Sequence, residues 1–170
     1  MALVVVPFRR TGGKSRLGLG PEIAEAMLQD VLAAAEALGP VVVADADGGQ
    51  GAAVAAQLRT WPEGAALVVN ADLPCATARD LLALLGRIPR DGIALVEASD
   101  GTTNALGLSS ARLFADLYGP GSANRFRAHA ACVTVHIPNL ADDVDTPEDL
   151  GRVRGRVGAH TAEVLAGVPA

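Results

Sequence analysis

Short, continuous apolar runs recur along this chain, and segments with helical signals separate them. Such runs are typical of strands that are buried on both faces of a parallel sheet. The strands predicted in this way are Leu3–Val6, Val41–Ala44, Ala66–Val69, Ile93–Val96 and Cys132–Ile137. The predicted helices are Pro21–Leu38, Ala52–Arg59, Thr77–Leu85, Ser110–Leu117, Ala123–Ala130 and Pro147–Val157. This alternation predicts a single three-layer α/β/α domain with a mostly parallel sheet.

Composition and charge exclude several classes of protein. The 170 residues suit one domain, and a hydrophobic content of 50% is ample for a core. A net charge of −5 and an aromatic content of 3% argue against a nucleic-acid-binding surface, which is basic and usually carries rings for base stacking. The opening apolar run is too short for a signal peptide, and no segment approaches a membrane span. We expect a cytoplasmic monomer or homodimer with no nucleic acid or membrane partner.

The sequence also suggests where the folded domain ends. The domain is expected to cover residues 1–157, and residues 158–170 are expected to form a frayed tail. Cys75 and Cys132 lie far apart and fit no metal-ligand spacing, so both are interpreted as reduced thiols without a chemical role.

A loop rich in glycine and positive charge follows the first predicted strand. Gly12 and Gly13 let backbone N–H groups turn toward an anion, while Lys14 and Arg16 add charged donors. This island of positive charge is unusual in an acidic chain, because no acidic residue precedes Glu22. A flexible, solvated connection could contain similar residues, but the local charge favours a small polyanion. We interpret these four residues as a site for the phosphates of a nucleotide.

Carboxylates form a second candidate site. Asp72 follows an apolar strand, at the edge of the sheet where open α/β folds bind ligands. Asp143 and Asp145 alternate in an acidic segment, so in an extended chain their side chains point to the same side and can share a cation. The alternative is an ordinary acidic turn that assists a helix cap. The pattern favours a Mg²⁺ site formed by these three residues.

A third candidate site precedes a predicted helix. Gly119 and Gly121 flank a turn that ends at Ser122, which we interpret as a helix cap, and Arg125 follows in the first turn of the helix. Backbone N–H groups and the helix dipole make such a terminus attractive to anions. An ordinary turn with exposed arginines explains the same pattern equally well. We carry Gly119, Ser122 and Arg125 forward as candidate substrate-binding residues.

Together, the cationic loop and the carboxylates match the needs of phosphoryl chemistry. Hard oxygen ligands hold Mg²⁺, and lysine and arginine neutralise the charge of the phosphates. A phosphate acceptor is largely dianionic at neutral pH, so it needs no general base to attack. Lys14, Arg16 and Asp72 are therefore the predicted catalytic residues.

Five ordered motifs of this chain resemble a known family. They are a Val-Pro loop with Gly13–Leu17, Asn70–Pro74, Asp100–Leu106, Gly119–Ser122 and Asp143–Leu150. The chain resembles, over nearly its whole length, the phosphoenolpyruvate or 2-phospho-L-lactate guanylyltransferases of coenzyme F420 biosynthesis. The resemblance implies a nucleoside-diphospho-sugar transferase-like, Rossmann-like fold.

The resemblance also implies a reaction and a set of site residues. The chain would transfer GMP from GTP to phosphoenolpyruvate or 2-phospho-L-lactate and release pyrophosphate, for a downstream deazaflavin transferase. Asp72, Asp143 and Asp145 would hold Mg²⁺. The phosphorylated acid would contact Thr103, Gly119 and Ser122, and Pro7 would lie beside the nucleotide.

Other interpretations remain open at this stage. In a P-loop kinase or NTPase, Gly13–Ser15 would end the phosphate motif, but the first glycine that the motif requires falls at Phe8. A non-catalytic nucleotide-binding module would keep the same loops without the reaction. The segment between Ala44 and Ala66 is also shorter than the family pattern, so the choice of guanine over another base stays open.

Overall fold

The computed structural model describes residues 1–11, 18 and 20–168. The strands are β1 (Leu3–Phe8), β2 (Val41–Asp45), β3 (Ala66–Val69), β4 (Ile93–Glu97), β5 (Thr103–Leu108) and β6 (Cys132–Thr134). The α-helices are α1 (Pro21–Ala35), α2 (Gln50–Leu58), α3 (Ala78–Leu85), α4 (Ser122–His129), α5 (Pro138–Ala141), α6 (Pro147–Val153) and α7 (Ala159–Ala166).

One sheet organises the described part of the chain, with the strand order β2-β1-β3-β5-β4-β6. All neighbouring pairs are parallel except those of β5, which runs antiparallel to both β3 and β4. The predicted α/β/α fold with a mostly parallel sheet is therefore confirmed.

Alternate residues of the strands build two hydrophobic layers, one on each face of the sheet. On β1, Val4 and Val6 pack with α1 and α3, whereas Leu3 and Val5 pack with α2 and with Phe126 of α4. All four β1 residues are almost completely buried, which explains why the sequence here is a continuous apolar run rather than an alternating one.

Two sequence-based assignments are wrong between residues 103 and 117. No strand was predicted where β5 forms, because its sequence contains Asn104 and Gly107, which are depleted in strands. The helix predicted at Ser110–Leu117 is a single 3₁₀ turn at Ala111–Leu113, and Phe114 already has extended backbone angles. The apolar residues of this segment pack onto the hydrophobic layer of α2 and α4 instead of forming a helical face of their own.

The prediction of a frayed tail from residue 158 is also wrong, because α7 packs against α1. Asp30 of α1 is 5% exposed and accepts hydrogen bonds from the backbone N–H groups of His160 (2.9 Å) and Thr161 (3.0 Å). These groups lie in the first turn of α7, which has no internal partner for them. A side chain at Gly158 would collide with the Asp30 carboxylate. A cap supplied from a distant helix carries no local sequence signal.

The antiparallel direction of β5 determines where the polar residues meet. Its first residues, Thr103 and Asn104, lie at the edge of the sheet where β3 ends and Asn70 begins the next loop. The end of β1 reaches the same edge. Among the described residues, no helix is long and apolar enough to cross a membrane.

Candidate functional site

Three carboxylates converge at this edge of the sheet. Asp72 lies in the loop after β3, and Asp143 and Asp145 lie between α5 and α6. One oxygen atom from each of the three carboxylates can be chosen so that all lie within 4.8 Å of one another. The structure thus brings together the three residues that the sequence suggested as metal ligands.

Local hydrogen bonds hold the two acidic segments together. The backbone N–H of Val144 donates to the carbonyl oxygen of Asp72 at 3.0 Å. Val144 is fully buried, so Asp143 and Asp145 on either side of it face the same way. Thr146 and Asp149 form the capping box of α6, and Asp149 also accepts from the backbone N–H of Asp145 at 3.1 Å. The acidic segment is therefore fixed by the helix that follows it.

The environment of Asp143 disfavours its charge. Burial and the nearby Asp72 carboxylate raise the pKa of Asp143 to about 6, against an opposing hydrogen bond from Asn104. A cation at this position would offset both unfavourable contributions. The raised pKa therefore reflects burial and an excess of negative charge at this position.

A cleft of about 260 Å³ opens beside the three carboxylates, and we call it the acid cleft. It is lined by Gln50, Asn70, Asp72, Asp100, Thr102, Thr103, Asn104, Tyr118, Gly119, Ser122, Asp143 and Asp145. Four of these residues are aspartates, and none of the described lining residues is lysine or arginine. The cleft therefore carries a concentration of negative charge that favours divalent cations.

A second cavity of about 170 Å³ adjoins the acid cleft, and we call it the β1 cavity. It is lined by Pro7, Phe8, Arg9, Ala24, Met27, Ala46, Gln50, Asn70, Ala71 and Asp72. Gln50, Asn70 and Asp72 line both cavities. The site thus has two compartments with a shared wall, and Asp72 stands on that wall beside the other two carboxylates.

Gln50 and Asn70 form a hydrogen-bonded bridge between the compartments. The Gln50 side chain donates to Asn70 Oδ1 at 2.9 Å, and Asn70 Nδ2 donates to the carbonyl oxygen of Thr103 at 3.2 Å. Neither side chain was among the residues predicted to act in the site. Gln50 lies in a glycine-rich segment two residues before the helix predicted at Ala52–Arg59, and in the structure it is the first residue of α2.

The acid-binding candidates lie together, but Ser122 is not the helix cap that the sequence predicted. Ser122 is the first residue of α4 rather than its cap, which is Gly121, and its hydroxyl donates to Thr103 Oγ1 at 3.2 Å. Thr103, Gly119 and Ser122 all line the acid cleft. Both hydroxyl-bearing residues are almost fully buried, at 2% and 0% exposure, so they belong to the inner wall of the cleft.

Arg125 is not among the described residues that line the acid cleft. Its guanidinium donates to the carbonyl oxygens of Leu117 (2.8 and 3.1 Å), Tyr118 (3.0 Å) and Pro120 (2.6 Å). These four hydrogen bonds occupy most of its N–H groups. Arg125 is therefore positioned to hold the loop that carries Gly119, and direct contact with a substrate is not what its geometry favours.

The other predicted nucleotide residues, Gly12, Gly13, Lys14 and Arg16, lie outside the described residues. The start of their loop is anchored by Asp47, which accepts from the backbone N–H groups of Arg10 (2.9 Å) and Thr11 (3.3 Å) and from the Thr11 hydroxyl (2.8 Å). The Thr11 hydroxyl is the main reason why the pKa of Asp47 lies below its usual range. The catalytic assignment of Lys14 and Arg16 stays a prediction.

The fold is similar to that of nucleotide-diphospho-sugar transferases. A chain from Desulfovibrio desulfuricans G20 assigned to the nucleotide-diphospho-sugar transferases superimposes with a TM-score of 0.68 at 15% identity, covering 98% of this chain and 95% of that one. At this identity the likeness shows the fold alone.

Sequence relatives identify the family within this fold. A phosphoenolpyruvate guanylyltransferase of Roseiflexus castenholzii is 32% identical over 172 residues, covering 85% of this chain and 80% of the relative. One from Sphaerobacter thermophilus is 37% identical over 105 residues, covering 57% of this chain and 51% of the relative. No family model matches the chain. The chain belongs to the phosphoenolpyruvate guanylyltransferase family, although it spans only about half the length of several relatives that it matches.

Proposed function

We propose that this protein transfers GMP from GTP to phosphoenolpyruvate or 2-phospho-L-lactate and releases pyrophosphate, as a step toward coenzyme F420. The observation that carries the proposal is the position of the carboxylates. Asp72 lies on the wall shared by the two cavities, with Asp143 and Asp145 beside it in the acid cleft. A reaction that joins a nucleotide to a second phosphorylated molecule needs its charged centre at such a boundary. Membership in the phosphoenolpyruvate guanylyltransferase family supports a guanine nucleotide and a phosphorylated acid as the two substrates.

The residues present fit a divalent metal ion of the Mg²⁺ type. Three carboxylates offer hard oxygen ligands within a few ångströms of one another, and the raised pKa of Asp143 reflects a local need for positive charge. We assign Asp72, Asp143 and Asp145 as the residues that would hold it. When bound, the metal would neutralise charge on the phosphates during transfer.

In the proposed reaction, a phosphate oxygen of the acid forms a bond to the α-phosphorus of GTP. The bond between the α-phosphorus and the bridging oxygen to the β-phosphate breaks, and the electron pair leaves with pyrophosphate. No proton has to be removed from the acceptor, because its phosphate is already largely ionised at neutral pH. The protein therefore contributes alignment and electrostatic stabilisation rather than acid–base catalysis.

We assign the β1 cavity to the nucleotide and the acid cleft to the acceptor. Pro7 and Arg9 line the β1 cavity, and Lys14 and Arg16 would approach the triphosphate from the loop that follows. Thr103, Gly119 and Ser122 line the acid cleft, where hydroxyl and backbone groups can donate to a carboxylate or phosphate. The Gln50–Asn70 bridge would fix the positions of the two substrates relative to each other.

The experiment that tests the proposal offers each nucleoside triphosphate with each phosphorylated acid and measures pyrophosphate. We expect release with GTP, Mg²⁺ and one of the two acids. A kinase would instead form GDP without pyrophosphate, and a nucleotide-binding module would consume no nucleotide. Either result would overturn the proposal, whereas release with another triphosphate would correct only the base.

Single substitutions test the assignment of the metal ligands. Asp72→Asn, Asp143→Asn and Asp145→Asn keep the shape of each side chain and remove its charge, so each should lower kcat by about 10²–10³-fold in a folded protein. Asp91→Asn is a matched control, because Asp91 is exposed and is not among the described residues of either cavity. A variant that keeps the parent's kcat would remove that residue from the metal site.

A further inference from the structure

Asn104 makes contacts that the proposed reaction does not use directly. It lies at the start of β5 and is only 2% exposed. Its side-chain Nδ2 donates to Asp143 Oδ1 and to the carbonyl oxygen of Ala141, each at 3.1 Å. Both partners can only accept, so this orientation of the amide is the one that satisfies them.

The two hydrogen bonds restrain both parts of the acidic segment. The bond to Ala141 holds the backbone at the end of α5, and the bond to Asp143 restricts rotation of the carboxylate itself. The backbone of Asn104 is held as well, because its carbonyl oxygen accepts from the backbone N–H of Asn70 at 3.0 Å, directly after β3. Its neighbour Thr103 accepts a hydrogen bond from Ser122 instead, and we call these two residues the acceptor wall. Adjacent residues of β5 thus support the proposed metal ligands and the acceptor wall.

The chemistry of the amide suits this task. A lysine or arginine at the same place would orient Asp143 equally well, but its charge would compete with a cation for the carboxylate. A neutral N–H group orients the oxygen and leaves its negative charge in place. Partners of this kind commonly tune metal affinity by about 10–100-fold.

We propose that Asn104 is a positioning residue that sets the affinity of the carboxylate cluster for a divalent cation by orienting Asp143. This inference rests on the proposed function, because it assumes that Asp72, Asp143 and Asp145 bind the metal. It adds a residue that does not itself need to touch the metal or either substrate.

The test measures binding of Mn²⁺ to the metal-free protein by electron paramagnetic resonance, with no substrate present. Asn104→Ala should raise the Kd by about 10–100-fold. If that variant does not fold, Asn104→Thr is measured, since threonine suits a strand and also removes the amide. Asn124→Ala is the control, because Asn124 is exposed on α4 and its side chain accepts from Arg127 outside the acid cleft. The control should keep the parent's Kd.

A double-mutant cycle separates positioning from a general structural effect. If Asn104 acts through Asp143, Asn104→Ala should change the Kd by less than about twofold in an Asp143→Asn background. An unchanged Kd in the single variant would overturn the proposal, as would an undiminished effect in the Asp143→Asn background. If Asp143→Asn alone left Mn²⁺ binding unchanged, the metal site of the proposed function would fail as well, and this outcome is distinct from the other two.

Discussion

At the scale of single residues, Asp143 links stability to function. Its pKa of about 6 in the folded protein lies above the ordinary value of 3.8, so folding penalises the ionised form. The penalty is absent below about pH 4, develops as the pH rises toward 6 and is complete above that. The ionised Asp143 that the proposed metal site requires therefore lowers the stability of the metal-free protein.

Asp143→Asn should therefore stabilise the metal-free protein at pH 7.5 by about 1–3 kcal/mol, since it removes the buried charge and keeps an oxygen for Asn104. The gain should shrink below pH 6 and vanish near pH 4. Urea denaturation across this pH range measures the effect. Mg²⁺ should stabilise the parent and not the variant.

Asp100 lies in the same cleft and provides a control, because its pKa is shifted in the opposite direction from that of Asp143. Hydrogen bonds from the hydroxyl and N–H of Thr102 lower the pKa of Asp100, so its ionised form contributes stability at neutral pH. Asp100→Asn should destabilise the protein at pH 7.5, and the difference should shrink as the pH falls through the folded-state pKa. If both variants shifted stability in the same direction, the electrostatic account of Asp143 would be wrong.

Ser122 tests the acceptor wall at the same scale. Because its hydroxyl does not cap α4, Ser122→Ala should leave the helix intact and raise the KM for the phosphorylated acid by about tenfold or more. The KM for GTP should change much less. Ser110→Ala, which alters a 3₁₀ turn at some distance along the chain, should change neither. Equal increases for both substrates would show that Ser122 shapes the site without contacting the acid.

At the scale of secondary structure, β5 depends on a glycine. A Cβ atom at Gly107 would lie 2.8 Å from Ile88 Cγ1 and 3.3 Å from Leu67 Cδ2. Gly107→Ala should therefore destabilise the protein by about 1–3 kcal/mol. Gly151→Ala is the matched control, since a Cβ there meets nothing within 4 Å in α6, and it should stabilise by about 0.5–1 kcal/mol. Equal effects in thermal denaturation would contradict the packing described for β5.

The docking of α7 gives a second prediction for an element. Asp30→Ala should destabilise the protein by about 1–3 kcal/mol, because two N–H groups of α7 lose their acceptor. Glu163→Ala on the exposed face of the same helix should change stability by less than about 0.5 kcal/mol. Urea denaturation measures both. A loss no larger than that of the control would mean that α7 does not depend on Asp30.

The sequence predicted correctly those strands and helices that are determined by residues close together in the chain. The apolar runs of β1, β3 and β4 identified them because each is buried on both faces. The helix predicted from Thr77 is α3, and Thr77 is its N-terminal cap. β5 was missed because its asparagine and glycine serve the site and the packing rather than strand propensity. The start of α7 was missed because its cap comes from residue 30, a distance no local pattern spans.

In the candidate site, too, some features follow from neighbouring residues and others depend on contacts between distant segments. Asp72, Asp143 and Asp145 could be suggested from their positions after predicted elements, and the structure brings them together. The sequence could not predict the hydrogen bonds made by Asn104, Gln50 and Arg125. Each of them depends on a contact with residues that are not neighbours in the sequence.

At the scale of the whole molecule, the direction of one strand creates the two-compartment site. If β5 ran parallel to its neighbours, Thr103 and Asn104 would lie at the opposite edge from Asp72. The antiparallel strand brings the acceptor wall and the support of Asp143 to the edge where β1 and β3 end. In the proposed reaction, the two substrates would therefore meet across the wall that contains Asp72.

The most direct measurement follows labelled phosphorus from GTP in the presence of Mg²⁺ and phosphoenolpyruvate or 2-phospho-L-lactate. The account predicts that label from the α-phosphate joins the acid while label from the γ-phosphate leaves in pyrophosphate, and that Asp72→Asn lowers both rates together. Transfer of the γ-label to the acid, or full-rate transfer of the α-label by Asp72→Asn, would contradict it.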